Sequence, residues 1–216
     1  MSLVIQTLRS SKDPWEIFQA VHADSPTCFF LDSPHYAPPD QVFSYIGMDP
    51  ALEVRLERDT LHVRGEENGK YPVAKLFPVL ERLLRKYKTH SKRTRPFFTG
   101  GFVGYFGYEA ADLCDKIFLR AKPGPEVPRV LLGLFRNVIV YDHRKRIYHV
   151  VINARGARHG ARDTEKLKKF FEAAAPEGKR FKLKQFTAEM TKNRFKAMVS
   201  KAREYIAAGD IYQLLN

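Results

Sequence analysis

Residues Val130 to Ile152 read VLLGLFRNVIVYDHRKRIYHVVI. Two apolar runs, Val130 to Tyr141 and Ile147 to Ile152, flank the charged stretch Asp142-His143-Arg144-Lys145-Arg146. β-Branched and aromatic runs on either side of a short polar turn are the signature of an antiparallel hairpin. The first run is read as one long strand region, and His143 as a solvated turn residue. Strands joined by tight turns build antiparallel sheets rather than a parallel array of alternating strands and helices. The expected class is therefore α+β, with antiparallel β-sheets packed with helices.

The flanking sequence extends this pattern. Leu52, Val54 and Leu56 alternate with Glu53, Arg55 and Glu57, which predicts a half-buried strand, and Thr60 to Arg64 is its expected hairpin partner. Cys28-Phe29-Phe30-Leu31 reads as a buried strand running into a loop, and Val42 to Gly47 as another strand. The three-proline segment His35 to Gln41 reads as an irregular loop. Asp13-Pro14-Trp15-Glu16 predicts a helix start: Asp13 caps, Pro14 suits the first turn and Glu16 completes a capping box. Trp15, Phe18 and Val21 are expected on one face of that helix. Val73 to Tyr87 has helical spacing, but Pro78 lies inside it, so the regular helix is expected to begin close to Pro78. Asp163 is the expected cap of a helix bearing Leu167, Phe170, Phe171 and Ala174, which Pro176-Glu177-Gly178 ends. Thr191 caps a last helix, Lys192 to about Ala208, with Gly209 past its end and Phe195, Met198, Val199, Ala202 and Ile206 on its apolar face. A strand then begins at Asp210 and stops at Asn216, which reads as a fragment of a longer chain.

Of 216 residues, 37 are Lys or Arg and 24 Asp or Glu, a formal net charge of +13. Hydrophobic residues at 44% and charged residues at 28% are ordinary for a globular protein and exclude an acidic disordered tail or a collagen repeat. No apolar run is long enough for a membrane helix, and the N-terminus lacks a secretory signal. Cys28 and Cys114 carry no metal spacing, which points to a reducing, cytoplasmic setting. The positive charge clusters at Lys86 to Arg95, at Arg144 to Arg146 and at Lys179 to Lys184. These runs are read as solvated loops and helix flanks, and no nucleic-acid-binding motif accompanies them, so no nucleic-acid partner is expected.

Direct chemistry is sparse. Gly100, Gly101, Gly104 and Gly107 do not fit a dinucleotide or P-loop register. They are read as a strand whose glycines admit a bulge or a close neighbour, with a phosphate cradle as the alternative. The seven histidines form no zinc-protease motif, and no serine sits in a nucleophile elbow. No catalytic constellation is complete.

Five stretches in order carry a resemblance: Leu31-Asp32-Ser33; Phe43-Ser44-Tyr45-Ile46-Gly47 with Asp49-Pro50; Gly100 to Glu109; Val140-Tyr141-Asp142-His143; and Ala208 to Gln213. Together they resemble component I of anthranilate synthase and of aminodeoxychorismate synthase, from about Pro14 to the end of the chain. The resemblance implies residues 1–155 as an N-terminal domain of regulatory type, 156–186 as a helix and basic linker, and 187–216 as the incomplete start of a chorismate-binding catalytic domain. It implies amination of chorismate with ammonia from a glutamine amidotransferase subunit (component II) and bound Mg2+. The catalytic and magnesium-binding residues are expected beyond residue 216, so this chain alone is expected to be inactive. Of the two branches the resemblance favours aminodeoxychorismate synthase, in the folate pathway, with anthranilate synthase, in the tryptophan pathway, as the alternative.

The same resemblance places Leu31, Asp32, Ser33 and Ser44 where many relatives hold a regulatory tryptophan pocket. A short carboxylate and hydroxyls suit an amino acid's ammonium group. Asp32 stands where relatives have Glu, one methylene shorter, and Val42 where many have Arg. The other reading of Asp32 and Ser33 is a simple cap and turn. A stand-alone amino-acid-binding regulatory module is the competing function of a different class.

Overall fold

The computed structural model describes residues 2–33, 42–89, 95–114, 127–154, 156–173 and 187–213. The proline-rich loop, the centre of the first basic run, the basic stretch at 179–184, Ala174, the Pro176-Glu177-Gly178 stop and Leu214 to Asn216 lie outside them. In chain order the elements are β1 (Ser2–Leu8), α1 (Pro14–Asp24), β2 (Cys28–Leu31), β3 (Phe43–Met48), β4 (Leu52–Glu57), β5 (Thr60–Gly65) and β6 (Gly69–Pro72). Then come α2 (Leu76–Tyr87), β7 (Gly101–Phe106), β8 (Val130–Phe135), β9 (Asn137–Asp142), β10 (Ile147–Ala154), α3 (Ala157–Glu172) and α4 (Lys192–Ala208).

The strands form two five-stranded antiparallel sheets, ordered β1-β10-β9-β3-β2 and β6-β5-β4-β8-β7. The α+β expectation holds. The hairpin at Asp142 to Arg146 forms as read, with Ile147 opposite Asp142. Asp142 organises its turn: its buried carboxylate accepts from the backbone N–H groups of Arg144 and Lys145 at 3.0 and 2.9 Å.

The long strand expected from Val130 to Tyr141 is in fact two strands in two different sheets. β8 pairs with β4 and β7, and β9 pairs with β3 and β10, with only Arg136 between them. A polar pair, Arg136-Asn137, interrupts the apolar run at this corner. Arg136 forms an ion pair with Glu66 at 2.6 Å, and its carbonyl accepts from the Asn153 side chain at 2.9 Å. Asn153 also donates to Thr99, so one buried amide closes the corner where the chain changes sheets.

Period-two alternation gives each sheet two faces. On the first sheet, Ile46, Met48, Ile139, Tyr148, Val150 and Ile152 pack against Ile17, Ala20 and Val21 of α1 and Leu167 and Phe170 of α3. Its other face carries Val138, Val140 and Val151, which meet Phe135 of β8 and Val103 of β7. The second sheet packs Leu52, Val54, Leu56, Leu61, Val63 and Leu132 against Leu76, Val79, Leu80 and Leu83 of α2.

The capping box at Asp13 and Glu16 is complete, at 2.9 and 2.8 Å. The buried stripe of α1 is Pro14, Ile17, Ala20 and Val21, while Trp15 stays 53% exposed and forms a flank with Phe18 and Phe30. α2 begins at Leu76, two residues before Pro78, so the proline sits in the first turn, where its missing N–H has no helical acceptor to lose. α3 begins at Ala157 after Gly156, and Asp163 lies inside it, where its carboxylate accepts from the Asn137 side chain at 3.2 Å. Grouped by sequence with the basic linker, α3 instead packs on β10 and α1. Lys166 of α3 also binds Asp49 at 2.5 Å. Burial pushes the Asp49 carboxyl up, but hydrogen bonds from Lys166 and Ser25 outweigh it and hold the group below its ordinary value.

β1 and β6 carry too weak a pattern to be read from the sequence, and both are edge strands. The glycine-rich stretch is strand β7, as expected. A Cβ on Gly104 would lie 1.9 Å from the Leu131 carbonyl oxygen, so the β7–β8 approach requires glycine there.

The chain divides into two compact units, Met1–Pro176 and Glu177–Asn216. The second contains α4, with Thr191 as its cap, a left-handed Gly209 closing its C-terminus and no buried residue. No strand follows α4 among the described residues.

Candidate functional site

The register of the first sheet assembles a polar cluster at one end of β2, β3 and β9. Leu31 pairs with Tyr45, and Phe43 pairs with Asp142. Continuing those ladders by one residue sets Asp32 beside Ser44 and His143 beside Val42, and the His143 N–H donates to the Val42 carbonyl at 2.9 Å. Alternation then puts Asp32, Ser44, Tyr141 and His143 on the helix-covered face, in line with Cys28, Phe30, Ile46 and Ile139.

Ser44 is the hub. It is only 1% exposed, and three groups converge on its Oγ. Asp32 Oδ1 lies at 2.7 Å, His143 Nε2 at 2.6 Å and the Ser33 backbone N–H at 3.2 Å. Ser33 ties the same loop down a second time, its hydroxyl donating to the Phe43 carbonyl at 2.7 Å. The His143 ring meets Tyr141 edge-on, with centroids 4.8 Å apart. His143 is therefore half-buried and engaged, not the solvated turn residue expected. Its place in the charged turn concealed this contact, which joins residues 99 positions apart.

The four residues singled out from the sequence do not share one face. Asp32, Ser33 and Ser44 form one hydrogen-bonded cluster. Leu31 instead looks toward the second sheet, where it is 51% exposed. It lines an apolar groove of about 820 Å³ with Tyr45, Leu84, Phe98, Phe102 and Phe106. Burial raises the Tyr45 phenol, with a hydrogen bond to the Phe98 backbone working against it.

The Asp-Ser-His cluster is not built for nucleophilic catalysis. In a serine hydrolase the carboxylate orients the histidine and the serine faces substrate. Here Asp32 sits on the serine, and that serine is shut away from solvent. The outward-facing group is Asp32, an exposed side chain whose Oδ2 accepts no hydrogen bond among the described residues. Among the described residues, no group of three His, Cys, Asp or Glu side chains converges to hold a metal. No helix among them is long and apolar enough to cross a membrane.

A family model described as chorismate binding enzyme matches residues 26–215. The chain belongs to the chorismate-binding enzyme family. Similar proteins include anthranilate synthase component 1 of Leptospira biflexa, 30% identical over 200 residues that cover 92% of this chain and 40% of that protein. Aminodeoxychorismate synthase component 1 of Bacillus subtilis is 21% identical over 179 residues, covering 80% of this chain and 38% of the relative. The crystal structure of anthranilate synthase component I from Streptococcus pneumoniae TIGR4 superposes with a TM-score of 0.54 at 21% identity, over 83% of this chain and 42% of that one. This likeness shows the fold. This chorismate-binding family member thus spans about 40% of the length of the relatives it matches.

Proposed function

We propose that the chain is the N-terminal portion of component I of a chorismate-aminating synthase, and that Asp32 holds the ammonium group of an amino-acid effector, with tryptophan as the first candidate. The observation that carries the effector reading is the Asp32 carboxylate: one oxygen is fixed by buried Ser44, and the other, on an exposed side chain just past the end of β2, accepts no hydrogen bond among the described residues. A fixed carboxylate with an open oxygen binds an ammonium group by a charge-assisted hydrogen bond. The groove lined by Leu31 lies on the opposite face of the sheet and plays no part in this reading.

The aminating activity, its ammonia-supplying glutamine amidotransferase partner and its magnesium belong to the longer protein of which we take this chain to be part. The purified 216-residue chain, given chorismate, ammonium and magnesium, is expected to form no product. Turnover by it would overturn this assignment. The aminodeoxychorismate reading rests on Asp32 in place of the relatives' glutamate and on Tyr212 in Gly209-Asp210-Ile211-Tyr212-Gln213. The anthranilate reading has at least as much support, since the relative from Leptospira biflexa carries that name over 92% of this chain. Chorismate turnover by a longer polypeptide containing the chain separates the two: anthranilate is fluorescent, whereas aminodeoxychorismate yields an aminobenzoate only after a lyase is added.

Calorimetry with L-tryptophan on the 216-residue chain tests the effector pocket. Saturable heat that Asp32→Asn weakens by about tenfold or more is expected for the loss of a charged acceptor. Binding indifferent to that change would exclude Asp32 as the group that holds the ligand's ammonium.

A further inference from the structure

The buried Ser44 hydroxyl has one proton to give and two lone pairs to receive. Three partners surround it, so each must take a definite role. The Ser33 backbone N–H is a donor and fills one lone pair. The Asp32 carboxylate only accepts, so Ser44 must spend its single proton there, at 2.7 Å. His143 Nε2, at 2.6 Å, is then left facing the second lone pair and must itself carry a proton. The reverse arrangement, with Ser44 donating to a bare Nε2, would set the serine and carboxylate oxygens lone pair to lone pair at 2.7 Å.

From this count we infer that His143 is a positioning residue of the effector site: its Nε2–H donates to Ser44, Ser44 donates to Asp32, and this directed chain holds Asp32 in place for a ligand cation. The assignment is met by the neutral Nε2–H tautomer and by the imidazolium alike, and excludes only the neutral ring protonated on Nδ1. It also changes the role of Ser44. Its hydrogen-bonding capacity is used up and it is out of reach of solvent, so it touches no ligand and acts through Asp32. The ligand role given to Asp32 rests on the effector reading above. The proton assignment does not.

Two measurements test the inference separately. Nitrogen-15 NMR of the ring in the full 216-residue chain, with the signal assigned by its loss in His143→Gln, is expected to show a proton on Nε2. A ring protonated on Nδ1 alone overturns the inference whatever the ligand does. Tryptophan calorimetry then compares His143→Gln, whose amide N–H₂ reaches the Nε2 position, with His143→Leu, which has no donor. Affinity within about twofold of the unsubstituted chain is expected for Gln, and a loss of about tenfold for Leu, as for one removed hydrogen bond next to a charge. Equal weakening by both variants overturns the inference, because packing alone would then explain the effect. Should His143→Leu fail to fold, a Gln variant that has lost binding by tenfold still overturns it. No tryptophan heat from the unsubstituted chain overturns the effector reading, while the NMR result alone decides the proton assignment.

Discussion

His149 shows how a single side chain can make stability depend on pH. It sits on β10 with its Nδ1 3.1 Å from Thr7 Oγ1 and its ring stacked on Phe97, centroids 4.9 Å apart. Burial lowers its pKa below the ordinary 6.5, Asp142 works against that, and Lys145 and Arg95 add to it. The folded state therefore binds fewer protons than the unfolded state once pH falls below the unfolded value near 6.5. Stability is unaffected by His149 above that value and falls as pH drops through it toward the folded pKa. Urea unfolding at about pH 7.5 and about pH 5.5 checks the sign: the loss between the two is expected to be smaller in His149→Gln than in the unsubstituted chain. The cluster at Ser44 makes the same point about context. The family resemblance brought its serine forward together with Asp32, but the residue that decides which way its proton points, His143, lies on another strand.

At the scale of elements, the ends of helices were the most legible features. Asp13 and Thr191 cap as their residue types require, because capping is settled within four residues of chain. Replacing Asp13 with Ala removes the acceptor for the Glu16 N–H and is expected to cost about 1 kcal/mol, read as a lower urea midpoint with an unchanged slope. Asp163 marks the boundary of this kind of reading. It has the right residue type for a cap, yet lies inside α3 and meets Asn137 across the structure. Gly156 starts that helix instead, and nothing local distinguished the two positions. The strand pair β8–β9 failed for a related reason. Continuous apolar sequence looks the same whether a strand stays in one sheet or crosses into a second, and the switch at Arg136 depends on Glu66 and Asn153 far away in the chain.

On the scale of the whole first unit, the two sheets share one buried layer. Val138, Val140 and Val151 of the first meet Phe135 and Val103 of the second. The sheets are also joined covalently at Arg136, so losing one exposes apolar surface of the other. Leu83 and Trp15 make this testable. Leu83 is fully buried between α2 and the second sheet, and Trp15, the only tryptophan, lies on α1 against the first. Leu83→Ala is expected to cost about 2–5 kcal/mol and to lower the Trp15 fluorescence midpoint as far as the circular dichroism midpoint. Separate midpoints would mean that the two sheets unfold independently.

Period-two alternation, capping residues and turn chemistry are written in consecutive residues, and the sequence by itself therefore determined the α+β class, the hairpins at Glu57–Thr60 and Asp142–Ile147, and the caps of α1 and α4. Leu31, Asp32, Ser33 and Ser44 came forward as a group through the family resemblance alone. Tertiary structure alone decided the division of strands between two sheets, the packing of α3, the separation of Leu31 from Asp32 onto opposite faces, and the entry of His143 into the site. Those outcomes depend on which strands lie side by side. Register between distant strands is set by complementary packing across the whole sheet, and no short stretch of the chain contains that information.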